Sequence, residues 1–533
     1  MAPIVDVLSA PSVISNSHSA AMDSPRVSKP IHISPMPDQA NIQSLLDENG
    51  LEYTPDGEFI RWSASNKHHP RNWPIARKIY DSSLIIFLDL FTTAISTAGS
   101  SAADHARYEF GIEKTLALFI FVSIYLLGQM VGGIIFPPYS EAFGRKNLYI
   151  VSTGFYSVFC VMVGVVPSLA GVVVGRFFSG FLSAIPTIVV AGSIEDMFNS
   201  KHRVWLIFLW AMVANMGLAL GPIMSIYITV HLGWQWVFYI AAIVTAVITI
   251  FLFGIRESRP SLLLEREVAK IRKESGNNTL QALNPDSTPD IKTFVRIALF
   301  RPIQLFFTEP IVFMVATMSA VAFALIYLFT EALPPIYESM GFSSTSSCLP
   351  FIAICIGLVS GLLTRIQDHR TIVKYEEQGI PLKPEHKLLG FSIGAPVLAV
   401  GLWWFAWTIP PIADVHWIVS TVALVLIGYA LNEFDSVLAG YLADSYLSYA
   451  ASGFAALSLI RSSMSAAFPL FARQMYEGLG ANVASSILAA LATLFCIIPP
   501  LFTKYGEQIR ARSKFARYSL QVYEENGVDK NGY

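Results

Sequence analysis

The side chains of this chain that could do chemistry are a few ionisable residues set inside long apolar runs. Asp89 stands between Ile85-Ile86-Phe87-Leu88 and Leu90-Phe91, about a third of the way into its run, with Arg176 at a comparable depth in another. Arg461 sits in the middle of a third run, and Glu433 and Asp435 share the tetrapeptide Asn432-Glu433-Phe434-Asp435. At bilayer depth a charged side chain costs roughly 3 kcal/mol or more, so such residues default to functional candidates. The chemistry they point to is proton exchange and charge compensation rather than bond making. Asp89 is the sharpest candidate, because a lone carboxyl among apolar side chains is costly to keep ionised and can trade its proton as its surroundings alternate between wet and dry. Arg176 and Arg461 have a structural reading beside the functional one, since a buried cation paired with a nearby acid simply locks helices together. Glu433 and Asp435 are two residues apart and point to different faces of one helix, so at most one is expected to face a cavity. Glu309 and Glu331 are read as helix-terminal or interfacial.

The elements that must position these residues are twelve apolar stretches of membrane-crossing length. They lie near 82–103, 116–137, 147–166, 168–192, 205–229, 235–254, 305–330, 345–364, 387–408, 415–440, 448–471 and 482–503. The chain has 533 residues, 53% hydrophobic and 14% charged, with a mean hydropathy of +0.52. A soluble protein would carry roughly a quarter charged residues. The fold class expected is an all-α polytopic membrane protein, twelve transmembrane helices in two six-helix halves. The division is a disordered cytoplasmic tail over 1–78, a first half over 79–254, a cytoplasmic linker over 255–304, a second half over 305–503 and a cytoplasmic tail over 504–533. All but five of the 36 lysines and arginines then fall on one side of the membrane. Arg107, Lys114 and Arg473 lie on the other side, and Arg176 and Arg461 lie within spans. Cytoplasmic loops retain Lys and Arg, so this sorting puts both termini in the cytoplasm and would be scrambled by an odd span count. No basic segment followed by an apolar one opens the sequence, so no cleaved signal peptide is expected.

Several function classes are excluded. Cys160, Cys348, Cys355 and Cys496 fall in apolar stretches without metal-ligand spacing, so they are expected to be packing residues, and no metal site or cofactor is expected. No phosphate-cradling loop, nucleophile elbow or zincin helix is present in the sequence, so the chain is not expected to be an enzyme or to be driven directly by ATP. A net charge of -2 gives no reason to expect nucleic acid. Two six-span halves joined by a cytoplasmic loop suit alternating access, in which halves rock around a central site.

Between the second and third spans the chain reads Pro137-Pro138-Tyr139-Ser140-Glu141-Ala142-Phe143-Gly144-Arg145-Lys146. Arg176-Phe-Phe-Ser-Gly180 follows in span 4, which closes on Glu195-Asp196-Met197-Phe198 ahead of Arg203. Gly217-Leu-Ala-Leu-Gly221-Pro222 lies in span 5. Later come Tyr327-Leu328-Phe329-Thr330-Glu331, Tyr441-Leu442-Ala443-Asp444-Ser445-Tyr446 and Phe468-Pro469-Leu470-Phe471. These segments resemble the major facilitator superfamily, and within it the fungal twelve-span drug–proton antiporter branch, over about residues 72 to 517. Pro137, Ala142 and Ser225 stand where that pattern has a glycine, a cation and a glycine.

The resemblance implies a cytoplasmic latch made by Glu141, Gly144, Arg145, Lys146, Asp196 and Arg203, and an antiporter-like motif of Gly217, Gly221 and Pro222. It implies a monomeric secondary transporter in the plasma membrane, or in a vacuolar or other vesicle membrane. Its partners would be a small organic substrate, protons and the lipid bilayer, with Asp89, Arg176, Glu433, Asp435 and Arg461 as proton-coupling or cavity candidates. The expected activity is export of a xenobiotic or secondary metabolite in exchange for protons. The alternatives are the same fold exporting polyamine, organic acid or glycolipid, proton-linked uptake, and a non-transporting membrane sensor.

Overall fold

The computed structural model describes residues 37–54, 57–283, 300–379, 383–412, 415–446 and 450–517. Among them, twelve helices are long and apolar enough to cross a membrane. Spans 1 to 6 are Ile75–Phe110, Lys114–Phe143, Lys146–Val165, Leu169–Met197, His202–Leu232 and Gln235–Leu252. Spans 7 to 12 are Pro310–Ser339, Phe351–Tyr375, Leu389–Thr408, Ile418–Tyr446, Ser452–Leu479 and Ala481–Arg512.

The packing repeats after six spans. Span 1 lies against span 5, span 2 against span 4, and span 3 against span 6; span 7 lies against 11, 8 against 10, and 9 against 12. Glycines permit the repeat at equivalent places. A Cβ on Gly180 would fall 1.9 Å from the Tyr125 carbonyl oxygen, and one on Gly128 2.1 Å from that of Phe177. In the second half Gly357 and Gly428 oppose Val425 and Ile354 as closely. Backbones this near supply the van der Waals contact that holds helices together where lipid removes the hydrophobic drive. The halves meet where span 2 packs on span 11 and span 5 on span 8.

Three sequence expectations differ from the structure. The stretch 305–330 is not one helix: Arg301–Thr308 forms a short helix that ends at Glu309, which is extended at φ -108° and ψ 109° before span 7. Pro310 causes the break, since a proline drives the preceding residue out of the α region. Span 7 then runs on to Ser339, so Glu331 is not helix-terminal; it is buried in the protein and paired with Lys114 at the start of span 2 at 3.2 Å.

The tail is the third difference. Residues 1–36 lie outside the described residues, but Pro37–Glu48 is helical and Leu51–Tyr53 pairs antiparallel with Ile60–Trp62. Ile42, Leu46, Leu51 and Ile60 form one small core with Leu264, Val268 and Ile271 of the linker helix Pro260–Ser275. The Trp62 indole donates to the Pro260 carbonyl at 3.1 Å. The tail has too few apolar residues for a core of its own and buries them only on the linker, a contact that local composition does not reveal. The linker's polar patch falls largely on 284–299, outside the described residues.

Candidate functional site

Span 5 is drawn onto span 1 by its glycines. A Cβ on Gly217 would fall 2.1 Å from the Thr93 hydroxyl, and one on Gly221 2.1 Å from that of Thr97. Thr93 and Thr97 donate to the carbonyls of Ala214 and Leu218 at 3.1 and 3.0 Å. Pro222 explains the second bond. It has no N–H for the carbonyl four residues back, which is that of Leu218, and Thr97 supplies the missing donor. Ser225, standing in place of a glycine, extends the seam by donating to the Ala98 carbonyl at 2.7 Å.

This seam brings Trp210 to Asp89. The indole N–H donates to Asp89 Oδ2 at 2.7 Å, and the Thr187 hydroxyl donates to Oδ1 at 2.9 Å. Gln129 of span 2 donates to Thr187 at 3.3 Å. Thr187 sits in a π-helical turn, Ile185–Val189, which contains Pro186; such wide turns break the helical register and recur at functional sites. Asp89 is wholly buried, yet both of its oxygens have donors.

One turn and a half beyond Trp210, Asn215 reaches the second half and donates to Asp435 Oδ2 at 3.2 Å. Asp435 Oδ1 holds Arg461 Nη1 at 3.3 Å, and the Arg461 guanidinium lies 4.5 Å over the ring of Phe323. Asp435 and Arg461 are both electrostatic neighbours of Asp89. A cavity of about 10 Å³ lies here, lined by Asn215, Ser319, Ala322, Phe323, Leu431 and Asp435. It has room for about one water. On one side of this layer Lys114 and Ser100 meet Glu331 across the halves. On the side bearing the tail and linker, Trp205 packs on His369 at 5.7 Å and Arg365 lies 5.2 Å over Phe208. Contacts between the halves therefore flank the polar centre on both sides.

Arg176 is not part of that centre. Thr187, the span 4 partner of Asp89, is eleven residues further on, about 16 Å along a helix. Arg176 is fully buried, donates from Nε to the Phe121 carbonyl at 2.7 Å, and lies over Tyr125 at 4.4 Å and Phe238 at 5.3 Å. Among the described residues it has no ion pair, so the expected pairing with an acid is replaced by aromatic faces. Glu433 also points away from Asp435, toward spans 8 and 9, where a Cβ on Gly390 would come within 1.9 Å of its Oε2.

Of the residues expected to form the cytoplasmic latch, Arg145, Lys146, Asp196 and Arg203 meet partners within the first half. Arg145 Nη2 pairs with Asp196 at 3.2 Å, and Asp196 lies 3.9 Å from Arg259 beyond span 6. The Glu257 carboxylate accepts from the backbone N–H groups of Arg145 and Lys146 at 3.0 Å. Gly144, at φ +92°, makes this turn possible, since a Cβ there would also fall 2.7 Å from Glu257. Lys146 Nζ donates to the Phe253 carbonyl, and Arg203 pairs with Glu195 rather than with the Arg145 cluster. Glu141 lies on the last turn of span 2. The second half carries a counterpart whose pairing the sequence did not reveal: Lys387 pairs with Asp444 at 2.7 Å, and Arg510 grips Glu385 with two nitrogens. Thr187 and Asn215 were missed as well, although Asn215 is a lone amide in an apolar run, which is a readable signal.

Residues 83–469, which span most of the twelve-helix arrangement, match the family model described as Major Facilitator Superfamily. The chain belongs to the major facilitator superfamily. A multidrug transporter of Candida glabrata is 33% identical over 481 residues, covering 90% of this chain and 82% of that protein. The efflux pump FUBT of Fusarium oxysporum is 33% identical over 82% of this chain and 74% of its own length. A transporter of the ascochitine biosynthesis cluster in Didymella fabae is 31% identical over 86% and 90%. Among solved structures, the proton:xylose symporter XylE superposes with a TM-score of 0.58 at 14% identity, covering 81% of this chain and 97% of that one. That likeness speaks for the fold. This member of the superfamily is thus a multi-pass membrane transporter and not an enzyme.

Proposed function

We propose that this transporter exports a large apolar or amphipathic organic compound, a xenobiotic or secondary metabolite, from the cytoplasm in exchange for protons. The observation that carries the reading is the central polar layer, where Trp210 of span 5 holds Asp89 and Asn215 of the same span bonds the Asp435–Arg461 pair of the other half. Alternating access needs a site between the halves that can be exposed to one side at a time. Opening the tail-bearing face would admit substrate among Phe323, Met212 and Met216, which offer an apolar and adaptable surface. Opening the far face would wet Asp89 and load its proton.

The relatives named as multidrug transporter, efflux pump and biosynthesis-cluster transporter support an organic cargo and outward direction. The sorting of Lys and Arg supports cytoplasmic termini, and we place the protein in the plasma membrane as a monomer. The first half then runs over 79–254 and the second over 305–503. A polyamine cargo fits less well, because the small cavity presents Asp435 as a carboxylate already neutralised by Arg461.

The test uses inside-out vesicles from cells expressing the protein, with a panel of fluorescent apolar cations and neutral compounds supplied in the outer medium and vesicles lacking the protein as the baseline. An imposed proton gradient, acid inside, is expected to drive their accumulation. Accumulation that ignores the gradient overturns the antiport reading.

A further inference from the structure

Glu433 is fully buried, and neither of its carboxyl oxygens has a hydrogen-bond partner. The carboxyl occupies room left by two glycines: besides Gly390, a Cβ on Gly361 would fall 3.0 Å from Oε1. Beside it, both polar atoms of the Asn432 side chain are buried and equally unpartnered. Arg365 and Asp368 of span 8 act on Glu433 electrostatically, and the Thr364 hydroxyl of the same span lies beside it. Span 9 meets it with Gly390 and Gly394, which do not titrate. On its own helix Tyr429 is engaged with Thr364 at 2.7 Å.

Arg365 is committed elsewhere. Its Nη1 pairs with Asp368 at 3.4 Å, and its guanidinium lies 5.2 Å over Phe208 of span 5, across the boundary between the halves. Its Nε has no partner. An ionised carboxylate buried with no partner is so costly that the group neutralises instead. Ionising Glu433 would therefore demand a new partner, and Arg365, with a spare donor, is the cation in reach.

We infer that Glu433 is a second proton-binding site, separate from Asp89, which controls closure of the tail-bearing face. Protonated, it leaves Arg365 on Phe208, and the halves stay together beside Trp205 and His369. Ionised, it draws Arg365 toward the glycine pocket, recruits the idle Asn432 amide and releases the Phe208 contact. The proton passes to water entering at the opened face. The inference rests on the transporter reading but needs no knowledge of the cargo.

Spin labels at His202→Cys and Arg370→Cys, both exposed and flanking the Trp205–His369 contact, report the separation of spans 5 and 8. The labels are placed in the full chain after Cys160, Cys348, Cys355 and Cys496 are changed to Ala, and distances are read in lipid nanodiscs. Raising the pH from mildly acid to mildly alkaline is expected to shift the population to longer distances. Glu433→Gln, close in shape and fixed in charge, is expected to abolish that shift and hold the short distance throughout. Phe208→Ala is expected to give the long distance at every pH. His369→Gln and Asp368→Asn test the other titratable groups at this contact and are expected to keep a pH-dependent shift, as is Asp89→Asn. A shift that survives Glu433→Gln, that disappears in His369→Gln or Asp368→Asn, or that is missing from the parent overturns the proposal. Failure of the export reading would show instead as no gradient-driven accumulation in vesicles, which leaves the distance result standing.

Discussion

Asn215 of the first half donates a hydrogen bond of 3.2 Å to Asp435 of the second, whose other oxygen holds Arg461 at 3.3 Å. The centre of the transporter is therefore a shared object, with the charge pair on one half and an amide reaching it from the other. Asp435→Asn leaves Arg461 without its counter-charge in a largely buried position. Removing one partner of such a pair costs about 3 kcal/mol, so transport is expected to fall at least about tenfold, which corresponds to roughly 1.4 kcal/mol. Substrate flux in vesicles, normalised to protein amount, checks this; an unchanged rate would exclude a role for the pair.

Asp89→Asn keeps the side-chain shape and the oxygen that accepts from Thr187. Its amide nitrogen cannot accept from Trp210, and it cannot carry an exchangeable charge. Transport is expected to lose its dependence on pH while surface abundance stays at the parent level. Flux measured across a pH series decides it, and a profile matching the parent would rule Asp89 out as the coupling group.

The seam between spans 1 and 5 predicts a structural failure. Gly221→Val places methyl groups where the Thr97 hydroxyl and the Ala94 carbonyl now lie, the carbonyl oxygen only 2.3 Å from a Cβ. Overpacking of this kind costs about 1–3 kcal/mol even where side chains can yield, and here backbone must move. A lower yield of monodisperse protein on size-exclusion chromatography is expected. Ser225→Ala, which loses only the bond to Ala98, is expected to be mild.

Asp196 pairs with the buried Arg145, so Asp196→Asn leaves that guanidinium without this carboxylate. A drop of about 3 kcal/mol is expected for a buried partner removed, seen as a lower melting temperature in detergent. Asp444→Asn in the second half is expected to do less, because the Lys387–Asp444 pair is about a third exposed and exposed pairs contribute about 0–1 kcal/mol. Equal losses would contradict this ranking.

His69 caps the turn before span 1, its Nδ1 accepting the Arg71 N–H at 3.1 Å. Burial first, and then the charges of Arg71 and Lys78, push its pKa down from 6.5 to about 4. The folded turn thus binds fewer protons than the unfolded chain. Its stability is full above pH 6.5, declines as pH falls toward about 4, and is flat below that. Hydrogen-exchange protection at the Asn72 and Trp73 amides, taken relative to the intrinsic exchange rate at each pH, is expected to fall as pH is lowered through this window. His69→Asn, which can accept the same bond without titrating, is expected to flatten the response.

Much of this architecture is legible along the chain. Span number follows from runs of apolar residues long enough to cross lipid, and the one-sided Lys and Arg follow from how membranes accept charge. Both are local or additive properties, and so is the close helix approach announced by Gly217 and Gly221. Pairing is neither. Asp89 and Arg176 look equivalent in sequence, yet the register of span 4 places Thr187 beside the acid and leaves the arginine among aromatic rings. Glu433 and Asp435 differ by two residues, and the helix turn sends one into a glycine pocket and the other to Arg461. The tail reads as polar and unstructured because the partner that buries Ile42 and Leu46 lies more than two hundred residues away. A sequence therefore states which charges enter the membrane, but only the packed helices decide what each one meets, because a buried charge is defined by its neighbours and those come from other spans.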